Sequence, residues 1–293
     1  MKPLTAWIIP ALIAAMLCGA AETVASVFAR GNLVAWCIVP FDARKRGPEE
    51  RAAMLKKLGL RKFVYDWREK DIPDFDREID ALKKHGIHLQ GFWTPHPASP
   101  AQSGKLPVIL DLLKRRKLRT ELWLSISQDK AFLAMPDEQK LETASAIVKK
   151  VAIEAQALDC KVGLYNHGGW YGEPENQIRV IERVGMKNVG IVYNFHHAHE
   201  HIARFPELLT KMRPHLLAIN LNGMSAEAKI LPVGDGKHEL EMLRAIQRSG
   251  YQGPIGILGH REEMDAEESL RLNVTGLKRL LPSLGEEAAA KTY

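Results

Sequence analysis

Short apolar runs rich in β-forming residues recur along the chain from residue 33 onward. Their starts lie roughly 26 to 42 residues apart, which is the spacing of strand–helix units and not of hairpins. Between these runs the apolar positions repeat with the period of an amphipathic helix. The predicted strands are Leu33–Val39, Lys62–Asp66, His88–Trp93, Thr120–Ile126, Lys161–Tyr165, Val189–Tyr193, Leu216–Leu221 and Pro254–Leu258.

The helical patterns begin and end at residues that favour helix boundaries. Pro48 and Pro174 stand at predicted helix starts, where proline is well tolerated. Glycines follow four predicted helix ends, at Gly59, Gly86, Gly185 and Gly250. The predicted helices are Pro48–Leu58, Phe75–His85, Glu138–Leu158, Pro174–Val184, Glu239–Ser249 and Glu267–Leu281.

Strand and helix alternate eight times, which predicts an α/β fold, a single-domain (β/α)8 TIM barrel. The alternative is an open doubly wound sheet. Such a sheet carries a glycine-rich turn after its first strand, whereas this chain has Pro40-Phe41-Asp42 at that place. No linker rich in proline, glycine and serine divides the chain, so we expect one domain.

The first thirty residues have the pattern of a secretory signal peptide. Lys2 precedes the uncharged apolar stretch Ala6–Leu17, and small residues follow up to Ala21. This stretch is shorter than the roughly 20 residues of a membrane-spanning helix. We expect a signal peptide over residues 1–29, or 1–21, a barrel over 30–293, no membrane span after cleavage, and a periplasmic or secreted protein. The alternatives are a lipoprotein anchor at Cys18 and an uncleaved N-terminal anchor.

The composition fits an ordinary globular protein, with 46% hydrophobic and 26% charged residues. The net charge of +6 comes from 41 basic and 35 acidic residues spread along the chain, so we expect no nucleic-acid partner. After cleavage Cys37 and Cys160 remain. The predicted barrel places them opposite each other, so we expect buried free thiols and no disulfide. The oligomeric state stays open.

Histidines concentrate where the predicted strands end, which is where (β/α)8 barrels carry their chemistry. Seven of the eleven lie at these ends or just beyond, at His96, His167, His196, His197, His199, His201 and His260. Because imidazole titrates near neutral pH and also ligates metals, this concentration indicates acid/base chemistry or metal binding. The alternative is that these histidines bond only to polar neighbours and water.

Four segments in the second half of the chain stand in a specific order. Residues 162–169 read VGLYNHGG, residues 189–198 read VGIVYNFHHA, and the segments PVGDG and GYQGPI begin at residues 232 and 250. In this order they resemble the xylose isomerase-like TIM-barrel superfamily, in its sugar isomerase and epimerase branch. The resemblance covers nearly all of the chain after the leader, and it implies a TIM barrel that acts on sugars.

The resemblance also implies a divalent metal, which the family usually holds with Glu, Asp, His and Glu on strands five to eight. The matching residues here are Tyr165, Asn194, Asn220 and Leu258. A phenol, two amides and an aliphatic side chain suit a hard divalent cation poorly. We therefore expect that the usual metal site is lost.

A replacement site is predicted one layer higher. Residues two apart on a strand face the same side, so His167, His196, Asn222 and His260 face the mouth if the family positions point inward. Three imidazoles suit a divalent transition metal such as Zn²⁺, which makes His167, His196 and His260 candidate ligands. The alternatives are metal-free acid/base catalysis, without any cofactor, and no chemistry. Since His197 matches a second family histidine, the candidate catalytic residues are His197, His167 and His260.

Flat aromatic and hydrogen-bonding side chains near the same strand ends suit a small-molecule carbohydrate, which has apolar faces and hydroxyl edges. The candidate substrate-binding residues are Asn166, Asn194, Asn220, Asn222, Trp67, Trp93, Trp170, Asp42 and Asp66. Asp235 and the Glu262–Glu263 pair bring negative charge to the loops where a phosphosugar would bind, so a phosphosugar is less favoured. Lys237, Arg261 and Arg68 keep that alternative open.

These residues together predict an extracytoplasmic isomerase, epimerase or lyase acting on a neutral sugar or keto-sugar derivative. Each of these reactions abstracts a proton beside a carbonyl. The alternative is a non-catalytic carbohydrate-binding TIM barrel that has lost the family metal site. A nuclease of the AP-endonuclease type, from another branch of the superfamily, is disfavoured because the carboxylates of its metal cluster are missing.

Overall fold

The computed structural model describes residues 25–226 and 230–293, and its centre is a closed barrel of parallel strands in the order β1 to β8. The barrel closes where β1 pairs with β8, from Leu33 opposite Ile255 to Trp36 opposite Leu258. The strands are β1 (Leu33–Trp36), β2 (Lys62–Tyr65), β3 (His88–His96), β4 (Glu121–Ile126), β5 (Lys161–Tyr165), β6 (Val189–Asn194), β7 (Leu216–Leu221) and β8 (Ile255–Leu258). The predicted single-domain (β/α)8 barrel is confirmed.

Helices cover the outside of the barrel. They are α1 (Pro48–Lys57), α2 (Phe75–His85), α3 (Leu106–Arg116), α4 (Lys130–Ala134), α5 (Asp137–Gln156), α6 (Gly169–Gly172), α7 (Pro174–Val184), α8 (Phe205–Met212), α9 (Glu239–Arg248), α10 (Ala266–Leu280) and α11 (Glu287–Ala290). The six helices predicted from the sequence are present, and α3 and α8 complete the repeats after β3 and β6. The four predicted stop glycines all have positive φ, the conformation in which helices commonly end.

Two strands end three residues away from their predicted ends, and both ends shape the barrel mouth. β1 ends at Trp36 instead of Val39, because Cys37 has a φ of 55° and a left-handed residue cannot continue an extended strand. β3 runs on to His96, past its predicted end at Trp93, and pairs with β4 over this added length. Trp93 therefore projects from a strand and not from a mobile loop.

The barrel is filled by side chains, as in a packed core. Its inward-facing apolar residues include Val34, Trp36, Val64, Trp123, Tyr165, Val192, Ala218 and Leu258. Trp36 meets Trp123 edge-on at 4.9 Å between ring centroids, and Trp123 stacks on Tyr165 at 6.2 Å. Gly91 leaves room for this packing, because a Cβ there would lie 2.9 Å from the Trp123 indole nitrogen. The aromatic rings give the mouth a solid floor.

The segment before β1 packs against the rest of the fold. Phe28 is fully buried, and its carbonyl accepts a 2.8 Å hydrogen bond from the Tyr293 hydroxyl. The predicted signal peptide lies mostly outside the described residues, which begin at residue 25, and stays a prediction. Of its two predicted ends, the one after Ala21 keeps Phe28 in the protein, whereas cleavage after Ala29 would remove it.

Cys37 and Cys160 are buried free thiols, as predicted. The residues between 25 and 293 that the structure describes contain no helix that is both long enough and apolar enough to cross a membrane.

Candidate active site

Four histidines form a continuous row at the carboxyl ends of the strands. His167 follows β5, His196 and His197 lie in a short 3-10 turn after β6, and His260 follows β8. Neighbouring ring centroids lie 4.5 Å apart for His167 and His197, 4.7 Å for His197 and His196, and 4.6 Å for His196 and His260. The three predicted catalytic residues thus lie in this histidine row, with His196 between two of them.

Tyr165 lies beneath the histidine row. Its ring centroid is 6.0 Å from that of His167 and 5.7 Å from that of His197. Its hydroxyl accepts hydrogen bonds from the Trp36 indole, at 3.3 Å, and from the Asn194 side-chain amide. Burial raises the pKa of Tyr165 well above its usual value, so the phenol stays protonated.

Asn194 links this floor to the row above it. Its Nδ2 bonds to Tyr165, and its Oδ1 accepts a 3.1 Å hydrogen bond from the main-chain N–H of His196. The amide therefore caps the short turn that carries His196 and His197, which fixes where both imidazoles stand. Asn194 is fully buried, so its role in this structure is to position the histidine row.

The remaining positions that match the family's metal ligands also point into the barrel. Leu258 belongs to the interior apolar cluster, and Asn220 lies against Gly256, where a Cβ would overlap its amide oxygen. Both amide atoms of Asn220 are buried without a hydrogen-bond partner among the described residues. A protonated phenol, two amides and an aliphatic chain do not fit a hard divalent cation, so these four residues are not a site for the family's metal.

The histidines predicted to bind a metal, His167, His196 and His260, are not arranged as ligands around one ion. Within the parts of the chain that the structure describes, no group of three or more His, Cys, Asp or Glu side chains is arranged to hold a metal ion. The histidine row is a succession of neighbouring pairs. The transition-metal site at His167, His196 and His260 therefore stays a prediction.

An arginine between two aromatic rings forms the opposite side of the mouth. The Arg68 guanidinium carbon lies 4.8 Å from the ring centroid of Trp93 and 5.7 Å from that of Phe41. The rings of Trp93 and Phe41 form an aromatic wall on this side of the mouth. Phe41 in turn packs on His260 at 3.8 Å between centroids, so the aromatic wall joins the histidine row. Of these residues Trp93 and His260 were predicted as site residues, and Arg68 only as a cation for a phosphosugar. Phe41 is added by the fold.

The surroundings of His260, including Arg68 beside the aromatic wall, change its pKa. Burial lowers the pKa of His260 to about 4, and the adjacent His196 ring and the positive charge of Arg68 act in the same direction. His260 is therefore neutral at neutral pH. A neutral imidazole has a free lone pair, which is what accepts a proton or a hydrogen bond.

Asp66 lies buried at the end of β2, and only 1% of its surface is exposed. Its Oδ1 accepts a 3.2 Å hydrogen bond from the Val39 N–H, while its Oδ2 is buried and has no partner among the described residues. Burial raises the pKa of Asp66 to about 7, although the charge of Arg68 opposes this. The predicted Asp66 thus lies almost fully buried at the end of β2, and its role in substrate binding stays a prediction.

Two other predicted binding residues support the backbone and do not face the mouth. The Asp42 carboxylate accepts hydrogen bonds from the main-chain N–H groups of Arg44, Arg46 and Ala266 and from the Arg46 guanidinium. Burial alone would raise the pKa of Asp42, but these bonds outweigh it and lower the pKa. Asn166 bridges β5 and β6 by bonding both main-chain groups of Asn194.

The three predicted tryptophans also differ in whether they lie in the aromatic wall. Trp67 packs edge-on against Phe75 outside the barrel, and its indole donates a 2.8 Å hydrogen bond to the Trp93 carbonyl. Trp170 bonds to Asp137 at the start of α5. Only Trp93 of the three takes part in the aromatic wall. Asn222 is buried, and its Nδ2 donates to the Gly223 carbonyl at 2.9 Å.

A cavity of about 380 Å³ opens beside the histidine row and is lined by Gly168, His196, His197, His199 and Glu200. This volume is within the range of small-molecule sites. A larger cleft of about 560 Å³ lies elsewhere, between α2 and α3 around the start of β3. The smaller cavity is the candidate site, because it lies at the strand ends that carry the polar groups.

The loop after β7, where many (β/α)8 barrels bind phosphate, is occupied by a carboxylate of the chain itself. Glu239 Oε1 accepts hydrogen bonds from the N–H groups of Gly234 and Gly236, both at 2.8 Å, and Oε2 accepts one from Met224 at 3.1 Å. Glu239 is 2% exposed. These N–H groups are therefore not available to a substrate phosphate.

Comparison with protein-family models gives no match, and comparison with curated proteins gives none. Solved structures do match. The IolI protein, solved with a bound zinc atom, has a TM-score of 0.67 at 12% identity, covering 86% of this chain and 98% of its own. The E. coli 3-keto-D-glucoside 4-epimerase YcjR has a TM-score of 0.62 at 14% identity, covering 80% and 95%.

A xylose isomerase-like TIM-barrel protein from Mycobacterium smegmatis, solved in complex with magnesium, has a TM-score of 0.59 at 13% identity, covering 89% of this chain and all of its own. Structures similar to this chain thus include metal-bound proteins and a sugar epimerase. At such low identities the likeness concerns the fold. The chain has the fold of the xylose isomerase-like TIM barrels.

Proposed function

We propose that the chain is a sugar isomerase or epimerase that abstracts a proton beside the carbonyl of a sugar or keto-sugar derivative. The observation that carries this proposal is the pair His167 and His197, whose rings lie 4.5 Å apart above Tyr165. Two adjacent imidazoles at the carboxyl end of a barrel provide a proton acceptor and a proton donor at one place. The fold likeness to a keto-glucoside epimerase supports the substrate class.

In the proposed reaction one imidazole of the pair acts in its neutral form. It takes the proton from the carbon beside the carbonyl, the C–H electrons form a carbon–carbon double bond, and the π electrons of the carbonyl move onto its oxygen, which gives an enediolate. The second imidazole, in its protonated form, then gives its proton to carbon while the electron pair on oxygen re-forms a carbonyl. Transfer to the same carbon on the opposite face gives the epimer. Transfer to the former carbonyl carbon, after the hydroxyl proton has moved from one enediolate oxygen to the other, gives the isomer. A leaving group on the next carbon would instead give elimination, as in a lyase.

The residues around the pair hold it in place. Asn194 caps the turn that carries His197, and Gln128 holds the loop after β5 by donating a 2.8 Å hydrogen bond to the Gly168 carbonyl. Trp93 offers a flat apolar face to a sugar ring. We propose that this reaction takes place outside the cytoplasm, as the predicted leader indicates, and cell fractionation tests that part.

The test is the exchange of substrate hydrogen with solvent. Purified protein is incubated in D₂O with a panel of aldoses, ketoses and keto-sugars, and nuclear magnetic resonance detects deuterium beside the carbonyl. We expect His197→Ala to abolish exchange without lowering the melting temperature. His88→Ala, at the opposite end of the barrel, is the matched control and keeps full exchange. Unchanged turnover in His197→Ala would refute the assignment.

A transition metal at His167, His196 and His260 is a second form of the same proposal, favoured by the imidazole donor set. Mass spectrometry of the dialysed protein tests it. Near-stoichiometric Zn²⁺, Mn²⁺ or Co²⁺ that is lost in His260→Ala supports it, and no metal after incubation with all three ions removes it. With a metal bound, His167 would be one of its ligands, and His197 would be the imidazole of the pair that remains to transfer a proton.

A non-catalytic carbohydrate-binding barrel is the competing function. It is favoured by the chemistry at the four family metal positions, where no carboxylate or imidazole stands. The same panel decides between the two functions. Thermal stabilisation by a sugar, without deuterium in that sugar, supports binding alone.

A further inference from the structure

We propose that the mouth is built for a sugar acid, with Arg68 binding a carboxylate of the ligand at the side of the mouth facing the histidine row. The position of the reactive end of the ligand rests on the proposed function. The carboxylate site does not, because it follows from the surroundings of Arg68.

Arg68 is held rigidly, in the way that a binding residue needs. Its Nη1 donates hydrogen bonds to the main-chain carbonyls of Asp66, at 2.9 Å, and Trp67, at 3.0 Å. The guanidinium also lies over the rings of Trp93 and Phe41. No partner among the described residues bonds its Nε or Nη2, so these donors are available to a ligand. A planar guanidinium edge matches the two oxygens of a carboxylate.

The charges around Arg68 favour an anion. The guanidinium is permanently charged. Asp66 is nearly fully buried and turned toward the Val39 N–H, and it does not form an ion pair with the guanidinium. The main-chain N–H of Arg68 donates a 2.7 Å hydrogen bond to Asp71 Oδ2, but the half-buried guanidinium itself bonds no carboxylate among the described residues.

The ligand is a carboxylate on a sugar, for two reasons. The half-buried Trp93 ring beneath Arg68 makes this side of the mouth apolar, which suits the C–H surface of a sugar. The phosphate loop after β7 is filled by Glu239, so the mouth lacks the usual place for a phosphosugar. A molecule that reaches from the end of β2 to the ends of β5 and β6 crosses the mouth, which places its carboxylate and its carbonyl at opposite ends.

Calorimetry with D-glucuronate, D-glucose and inorganic phosphate tests this site. The first two differ by the carboxylate alone at C6. We expect D-glucuronate to bind at least about tenfold more tightly than D-glucose, since charge-assisted bonds to a guanidinium change affinity by about 10- to 100-fold. We expect Arg68→Gln to remove this selectivity. Arg44→Gln, an exposed arginine after β1, is the matched control and keeps it.

Arg68→Lys is the control for a folding defect, because it keeps the positive charge but lacks the planar guanidinium that can bond both carboxylate oxygens. We expect it to melt like the natural protein and to bind D-glucuronate more weakly than the natural protein but more tightly than Arg68→Gln. Equal binding of D-glucose and D-glucuronate would overturn the proposal. So would phosphate that binds as tightly as D-glucuronate, or selectivity that survives in Arg68→Gln.

This experiment also separates the inference from the proposed function. Selective binding of D-glucuronate without any deuterium exchange would leave the carboxylate site standing and refute the enzyme. Deuterium exchange of neutral sugars without charge selectivity would leave the enzyme standing and refute the carboxylate site.

Discussion

Replacement of Asp66 by asparagine is expected to stabilise the protein above neutral pH. The pKa of Asp66 is raised from 3.8 to about 7 by burial, so the folded state holds its proton more tightly than the unfolded state. Between these two values the folded state binds more protons, and the free energy of unfolding therefore falls as the pH rises from about 4 to about 7. Below pH 4 this carboxyl is neutral in both states and contributes no such loss.

The magnitude follows from the shift. A difference of about three pKa units corresponds to roughly 4 kcal/mol at about 1.4 kcal/mol per unit, which is an upper bound for this site. Asparagine keeps the Oδ1 that accepts from the Val39 N–H, and it replaces the unpartnered Oδ2 by an amide that costs about 1 kcal/mol if it finds no acceptor. We expect Asp66→Asn to be about 2–3 kcal/mol more stable than the natural protein at pH 8, and no more stable at pH 4.

Urea unfolding of both proteins at half-unit steps from pH 4 to pH 8.5 measures this difference. His260 also makes stability depend on pH. Because its pKa is lowered from 6.5 to about 4 in the folded state, its contribution to the free energy of unfolding rises with pH between these values. This contribution is the same in both proteins. Asp111→Asn, an exposed carboxylate bonded to Arg115, is the control and changes little over this range. A difference between Asp66→Asn and the natural protein that does not vary with pH would refute the reasoning.

Three further predictions concern packing and the loop after β7. Phe28→Ala is expected to cost about 3–5 kcal/mol in urea unfolding, whereas Ile153→Ala, 54% exposed, costs less than about 0.5 kcal/mol; equal costs would exclude the residues before β1 from the core. Glu239→Ala leaves three loop N–H groups unpaired, so we expect it to be less stable and to gain inorganic phosphate binding in calorimetry; without that gain the loop is not an anion site. Gly256→Ala is expected to cost about 1–3 kcal/mol in thermal unfolding, because its Cβ would overlap the neighbouring β7 amide, while Gly31→Ala, with open space around it, costs less; an equally stable Gly256→Ala protein would contradict this packing.

The fold could be predicted because its signals are local and repeat. Helix α2 begins and ends as predicted, since its amphipathic pattern is followed by Gly86 in the left-handed conformation. Helix α3 was not among the predicted helices, because Leu106–Leu110 is a continuous apolar run broken only by Pro107 and has no clear period. The end of β1 was placed too late, because nothing in the residue type of Cys37 announces a positive φ.

The site could be predicted only in part, for a physical reason. Alternation along a strand decides which side chains enter the barrel, and it placed His167 and His260 at the mouth. It does not tell what a loop side chain bonds to. Asp42 and Trp67 lie next to strand ends as expected, but the first caps backbone N–H groups and the second packs behind the sheet. Arg68 was considered only as a cation for a phosphosugar, because only the folded chain brings it onto the ring of Trp93.

A buried charge needs an opposite charge beside it. This requirement applies both to the residues that replace the family's metal ligands and to the charge of Arg68. Carboxylates at the positions of Tyr165 and Asn194, both nearly or fully buried, would need a cation beside them, because buried unpaired charges are strongly destabilising. Neutral side chains there remove that need, and the hydrogen bonds between Trp36, Tyr165 and Asn194 then hold the floor together. What remains above this floor is the guanidinium of Arg68, with the neutral imidazole of His260 in the same mouth. A mouth of this kind is complementary to a ligand that brings its own negative charge, and a neutral hexose would leave that cation without a partner.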